Sequence, residues 1–135
     1  MTPTNQKTRP GGRGEARNRR DIAAKYLEAG ELAATEEGPA ANNVVVGICV
    51  LAGIAAGDAL CLTSVGERYA GQDHAEAAAF LRRIDPARGR DLAALVRLKP
   101  IAHYGTGFVK DAERTRALRA ARALVESATE RTTGS

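Results

Sequence analysis

Eight consecutive residues, Arg97, Leu98, Lys99, Pro100, Ile101, Ala102, His103 and Tyr104, hold the densest chemistry in the chain. They set one of only two histidines beside two cations, an aromatic hydroxyl and a helix-breaking proline. An imidazole can pass a proton to or from a reacting oxygen. A guanidinium or ammonium can hold a phosphate, and a flat tyrosine ring can stack on a nucleic-acid base. On a straight helix, Arg97 and His103 stand about 240° apart around the axis, whereas Lys99 and His103, four apart, share a face. Pro100 lacks an amide hydrogen and crowds the carbonyl of Val96, so a helix is expected to stop or kink there. The plain alternative is a helix-end histidine bonded to a loop carbonyl, with Tyr104 packed in the core.

A second polar cluster is Gln72, Asp73 and His74, with Asp58 as a candidate fourth member. It reads either as a polar site completed by Asp58 or Arg68, or as ordinary helix capping by Asp73 with His74 exposed. Asp58 is the only charge between Val44 and Leu62. If that segment is central, the carboxylate needs a cation from another helix, such as Lys25 or Lys99. Cys49 and Cys61, twelve residues apart on one helix, are separated by about 18 Å along its axis, too far for a disulfide. They read as small buried residues of a reducing compartment. No metal-ligand spacing surrounds them, and no cofactor motif is present, so neither a metal nor a cofactor is expected.

Composition sets the frame for these residues. The chain has 135 residues, 44% hydrophobic but only 4% aromatic and without tryptophan. Apolar content dominated by Ala, Leu and Val favours close-packed helices over sheets. Residues 1–20 hold six of the 20 basic side chains and, in Glu15, one of the 16 acidic ones. The excess charge therefore belongs to the beginning of the chain, and the body is nearly neutral. Such a basic arm can meet phosphates non-specifically or remain a solvated leader. Residues 1–17, with Pro3, Pro10, Gly11, Gly12 and Gly14 and no apolar periodicity, are expected to form a disordered basic tail, and 131–135 a disordered end. The uncharged run Val44–Gly57, fourteen residues, falls short of the roughly 20 a membrane span needs. With no apolar leader after Met1, a cytoplasmic protein without membrane attachment is expected.

The domain proper is expected over 18–130 as an all-α, antiparallel bundle of four to five helices. Ile22, Ala23, Tyr26 and Leu27 open an amphipathic stripe that ends at Glu36–Pro39. A long helix follows from Ala41 or Asn42 to about Tyr69, with Asn42 or Asn43 as cap, apolar on nearly all sides and so central. Gly53 and Gly57, four apart, should let a neighbouring helix approach closely. Asp73 opens a third helix, Asp85 and Pro86 separate it from a fourth, and a fifth runs from Asp111 to about Thr129. No segment alternates with period two, so no strand is expected.

An Arg followed four to six residues later by a His, near the end of a small helical bundle, resembles the HEPN superfamily. Arg97 and His103 fit that spacing with five residues between them, and the helix order fits over roughly residues 20–130. The resemblance implies a HEPN-like bundle acting as a homodimer. Active members are metal-independent ribonucleases, often toxins or defence effectors, and others are nucleotide- or RNA-binding modules. Carried over, His103 would be the general acid/base and Arg97 would stabilise phosphate charge, with Lys99 as a substitute cation and Tyr104 beside them. Leu98 stands where active members often carry a polar group, and Pro100 interrupts the helix. Both favour a non-catalytic or weakly catalytic module binding RNA or nucleotide over the ribonuclease. A nucleotidyltransferase-like antitoxin is the partner class implied for the toxin reading. A DNA-reading helix-turn-helix is weaker, because no helix gathers the Asn, Gln and Arg that read base edges.

Overall fold

A computed structural model describes residues 7–133. Five helices dominate it: α1 (Arg13–Ala33), α2 (Pro39–Val65), α3 (His74–Ile84), α4 (Pro86–Tyr104) and α5 (Asp111–Thr133). Two three-residue strands, β1 (Thr8–Pro10) and β2 (Glu67–Tyr69), pair antiparallel with Arg9 opposite Arg68.

Helix α2 is the centre, as its all-round apolar sequence requires. Fifteen of its residues are buried, among them Val45, Val46, Val50, Leu60 and both cysteines. At 27 residues it is long and apolar enough to cross a bilayer, yet 72% of its most apolar window is buried by the other helices. Leu81 of α3, Leu92 and Leu95 of α4 and Leu124 of α5 close the core around it. Gly53 and Gly57 make this possible. A Cβ on Gly53 would lie 2.5 Å from the Leu95 side chain, and one on Gly57 would lie 3.1 Å from Leu92.

Several boundaries differ from the sequence expectation. Lys7 to Arg17 are ordered into β1 and the first turns of α1, not a disordered tail; residues 1–6 lie outside the described residues. Main-chain pairing with β2, the Gly11 amide bonded to the Gly66 carbonyl and the Gly12 amide bonded to Glu15 hold this segment without an apolar stripe. Ala16 is buried, so α1 begins packing one turn earlier than its periodicity suggests. Likewise α5 continues to Thr133, through part of the end expected to be disordered; residues 134–135 lie outside the described residues. Helix α2 ends at Val65 rather than Tyr69, because Gly66 adopts a left-handed conformation (φ 72°) and turns the chain into β2.

Asn42 and Asn43 do not cap α2, which starts with Pro39 in its first turn. Asn42 is buried, and its amide donates to the Val109 carbonyl and the Asp111 carboxylate while its oxygen accepts from Arg114. Arg114 also donates to the carbonyls of Ala34 and Glu36. One asparagine–arginine pair thus ties the end of α1 to the starts of α2 and α5. Asn43 accepts from the Val109 amide and donates to the Gly107 carbonyl, fixing the loop after α4.

Candidate functional site

Helix α4 does not stop at Pro100. It runs on to Tyr104. Its last turn is held from outside: the Asn43 amide reaches the Ile101 carbonyl, and the His103 ring lies on Gly47, where a Cβ would meet Nε2 at 3.2 Å. This contact decides where the histidine goes. His103 leans on α2, exposed at its outer edge, and does not join Arg97.

Arg97, Lys99, Pro100 and Tyr104 instead line an open cleft of about 470 Å³ whose other wall is Asp73, His74 and Ala75 of the α3 start. The two polar clusters, more than twenty residues apart in sequence, therefore meet. Asp73 caps α3, its carboxylate accepting from the Ala75 amide at 2.9 Å, and its own amide donates to the Tyr69 hydroxyl. That fixes His74 in the first turn, facing Lys99 across the cleft. Burial and then the Lys99 charge hold the His74 pKa below its ordinary 6.5, against the pull of Asp73. The imidazole is thereby neutral at pH 7, able to donate from one nitrogen and accept at the other. Tyr104 is 75% exposed rather than packed in the core, and the Lys99 ammonium sits 5.5 Å from its ring centre. The floor is apolar: Ala78, Ala93 and Val96.

Not every expected member arrives. Asp58 does not line the cleft, and its cation is neither Lys25 nor Lys99. Arg19 of α1 supplies it, with Nε and a terminal nitrogen each 3.1 Å from Oδ2. Burial pushes the Asp58 pKa up from 3.8 to about 6, against the attraction of Arg19 and Arg68. Gln72 is exposed at the turn before α3 and is absent from the cleft lining. Cys49 and Cys61 are both buried, which pushes each thiol up to about 12 and leaves it inert near neutrality. Among the described residues no three His, Cys, Asp or Glu side chains converge as a metal site. The alanine floor was the part the sequence reading missed; its signal was the spacing of Ala75, Ala78 and Ala79 opposite Ala93 across the Asp85–Pro86 turn.

The arrangement can hold an anion with two cations, present a flat ring to a planar group, and offer a neutral imidazole at the rim. Comparison with family models, curated proteins and solved structures returns no match.

Proposed function

We propose that this chain is a small HEPN-like cytoplasmic module that binds RNA or a nucleotide in the cleft between α3 and α4, without catalysing its cleavage. The observation that carries this reading is the convergence of Arg97, Lys99, Tyr104 and His74 on one open, apolar-floored cleft. Arg97 and Lys99 meet phosphate oxygens, the guanidinium by its two-pronged geometry and the ammonium as a point charge. A base stacks on the exposed Tyr104 ring, and neutral His74 bonds to the sugar or base edge. Cleavage is disfavoured because the general acid/base candidate, His103, rests on Gly47, while its cation Arg97 lines the α3–α4 cleft and a hollow toward Glu113 and Arg116 of α5.

The second reading, a metal-independent ribonuclease toxin or defence effector, has one observation in its favour. His103 is exposed beside Val44, Ile101 and Phe108, large apolar residues 40–63% exposed at the same end of the bundle. We propose this end as the contact of a homodimer; in the ribonuclease reading a second copy brings its Arg97 toward His103 there. A nucleotidyltransferase-like antitoxin belongs to that reading alone.

The two are separated by fluorescence anisotropy with 5′-labelled diuridylate and by gel analysis of the RNA after incubation. Binding without cleavage, lost on R97A/K99A and kept on H103A, is the expected result. Cleavage that disappears with H103A overturns it in favour of the ribonuclease.

A further inference from the structure

The cleft does not end at the α3 start. A second hollow of about 470 Å³ shares Ala75, Ala78 and Ala93 with it and continues between the same two helices to Arg82 and Arg83. The result is one trough along the outer side of the α3–α4 hairpin, floored by small apolar side chains. Close crossing makes it: a Cβ on Gly89 would fall inside the Arg82 backbone, so only glycine lets α4 come this near α3. Arg90 stands one turn before Ala93 and two before Arg97, on the same exposed face of α4.

The charge along this trough is mostly positive: Asp73, in the lining at one end, caps α3 through the Ala75 amide, and Glu76 of α3 lies outside the lining. Two acidic side chains of the hairpin are engaged, Asp91 with Arg88 at 3.0 Å and Asp85 with Arg131 at 3.3 Å. Arg82, Arg83, Arg90, Arg97 and Lys99 make no ion pair among the described residues; four of them line the trough with its apolar floor, and Arg90 stands exposed on the same face of α4. From Arg90 to Tyr104 the axial rise is about 21 Å. That matches about six nucleotides at the stacked spacing of roughly 3.4 Å, and fewer in an extended strand.

Resting on the reading of the cleft as a nucleotide site, we infer that the whole α3–α4 trough is a track for a single-stranded nucleic acid of about four to six nucleotides. In it Arg82, Arg83 and Arg90 hold phosphates beyond the one at Arg97 and Lys99. The strand enters with a base on Tyr104 and runs over the alanine floor toward Arg83. An acidic peptide would use the cations equally, but its Asp and Glu side chains bring no aromatic ring to stack on the three-quarters-exposed Tyr104 ring. The floor carries no hydrogen-bonding side chain, so recognition along it is indifferent to base identity.

The test is anisotropy of the full chain with labelled oligouridylates of two, four, six and eight nucleotides, between 50 and 200 mM salt. Exposed positions are changed together in R82A/R83A/R90A, with circular dichroism to confirm an unchanged fold. Wild type gains at least tenfold in affinity from two to six nucleotides and then levels off. Its salt slope for the hexamer is about −2.8, for the phosphate on Arg97 and Lys99 and three more on Arg82, Arg83 and Arg90, against about −0.7 for the first alone. The triple variant binds the dimer as wild type does and loses the gain with length. An equal gain with length for oligothymidylate supports the track, because Arg82, Arg83, Arg90 and the alanine floor hold phosphates and bases without reading the 2′-hydroxyl. The track is overturned if the dimer and hexamer bind alike, if the triple variant keeps the gain, or if oligoglutamate of equal charge displaces the hexamer as well as unlabelled RNA does. Wild type binding no oligonucleotide of any length is a different failure, that of the cleft reading itself.

Discussion

Replacing Asp58 with asparagine tests the electrostatics of the bundle centre. The carboxylate is 13% exposed on α2 and paired with Arg19, yet burial outweighs the pair and its pKa rises from 3.8 to about 6. A carboxyl whose pKa is raised by folding takes up its proton more readily in the folded chain. Its contribution to stability is therefore greatest below about pH 4 and is lost as pH rises through about 6. A rise of about 2 pKa units corresponds to roughly 3 kcal/mol. The carboxamide of the D58N variant cannot ionise, keeps an oxygen toward Arg19, and leaves that arginine, 32% exposed, in contact with water. Urea denaturation of both proteins from pH 3.5 to 7.5, followed by circular dichroism, gives two stability curves whose difference cancels every other titrating group. The stability of wild type relative to D58N should fall by roughly 2 kcal/mol between pH 4 and pH 7, most of the full difference. A flat difference, or one that rises with pH, would refute the reasoning and mean that Arg19 compensates the burial fully.

Three further outcomes follow from the packing and the cleft. Gly89→Ala should cost about 1–3 kcal/mol in chemical denaturation, since the new methyl meets the Arg82 backbone and forces α3 away from α4. Arg114→Ala should cost about 1–3 kcal/mol, because it strands the buried Asn42 oxygen and the carbonyls of Ala34 and Glu36. An unchanged melting temperature in either variant would contradict the stated role. In an NMR titration the His74 ring should protonate with a midpoint below 6.5, and Lys99→Ala should move that midpoint upward. A midpoint indifferent to Lys99 would remove the two residues from a common cleft.

The large helices were legible because their signals are local. Asp73 and the Asp85–Pro86 pair break the chain where the helices break, and the run Val44–Leu62, with Asp58 its only charge, is apolar on nearly all sides and therefore central. Three-residue strands carry no periodicity, so β1 and β2 were invisible, and with them the order of residues 8–12. Of the stop or kink expected at Pro100, the stop does not occur. The proline's local cost is real, but Asn43 and Gly47 hold the final turn from another helix. With α4 continuous to Tyr104, Arg97 and His103 stand on different faces, as their spacing requires on a straight helix. Each half of the cleft stood out in the sequence as a polar cluster. Their meeting depended on how closely α4 crosses α3 at Gly89, a tertiary fact carried by one missing methyl.

Chemical-shift mapping with diuridylate tests the central claim most directly. Backbone amides of uniformly labelled protein are followed as the dinucleotide is added. The account predicts the largest, saturable shifts at Asp73, His74, Ala75, Ala93, Arg97 and Tyr104, with His103 and Gly47 changing little and R97A/K99A abolishing the response. Shifts centred on Gly47 and His103, or no saturable shifts at all, would contradict it.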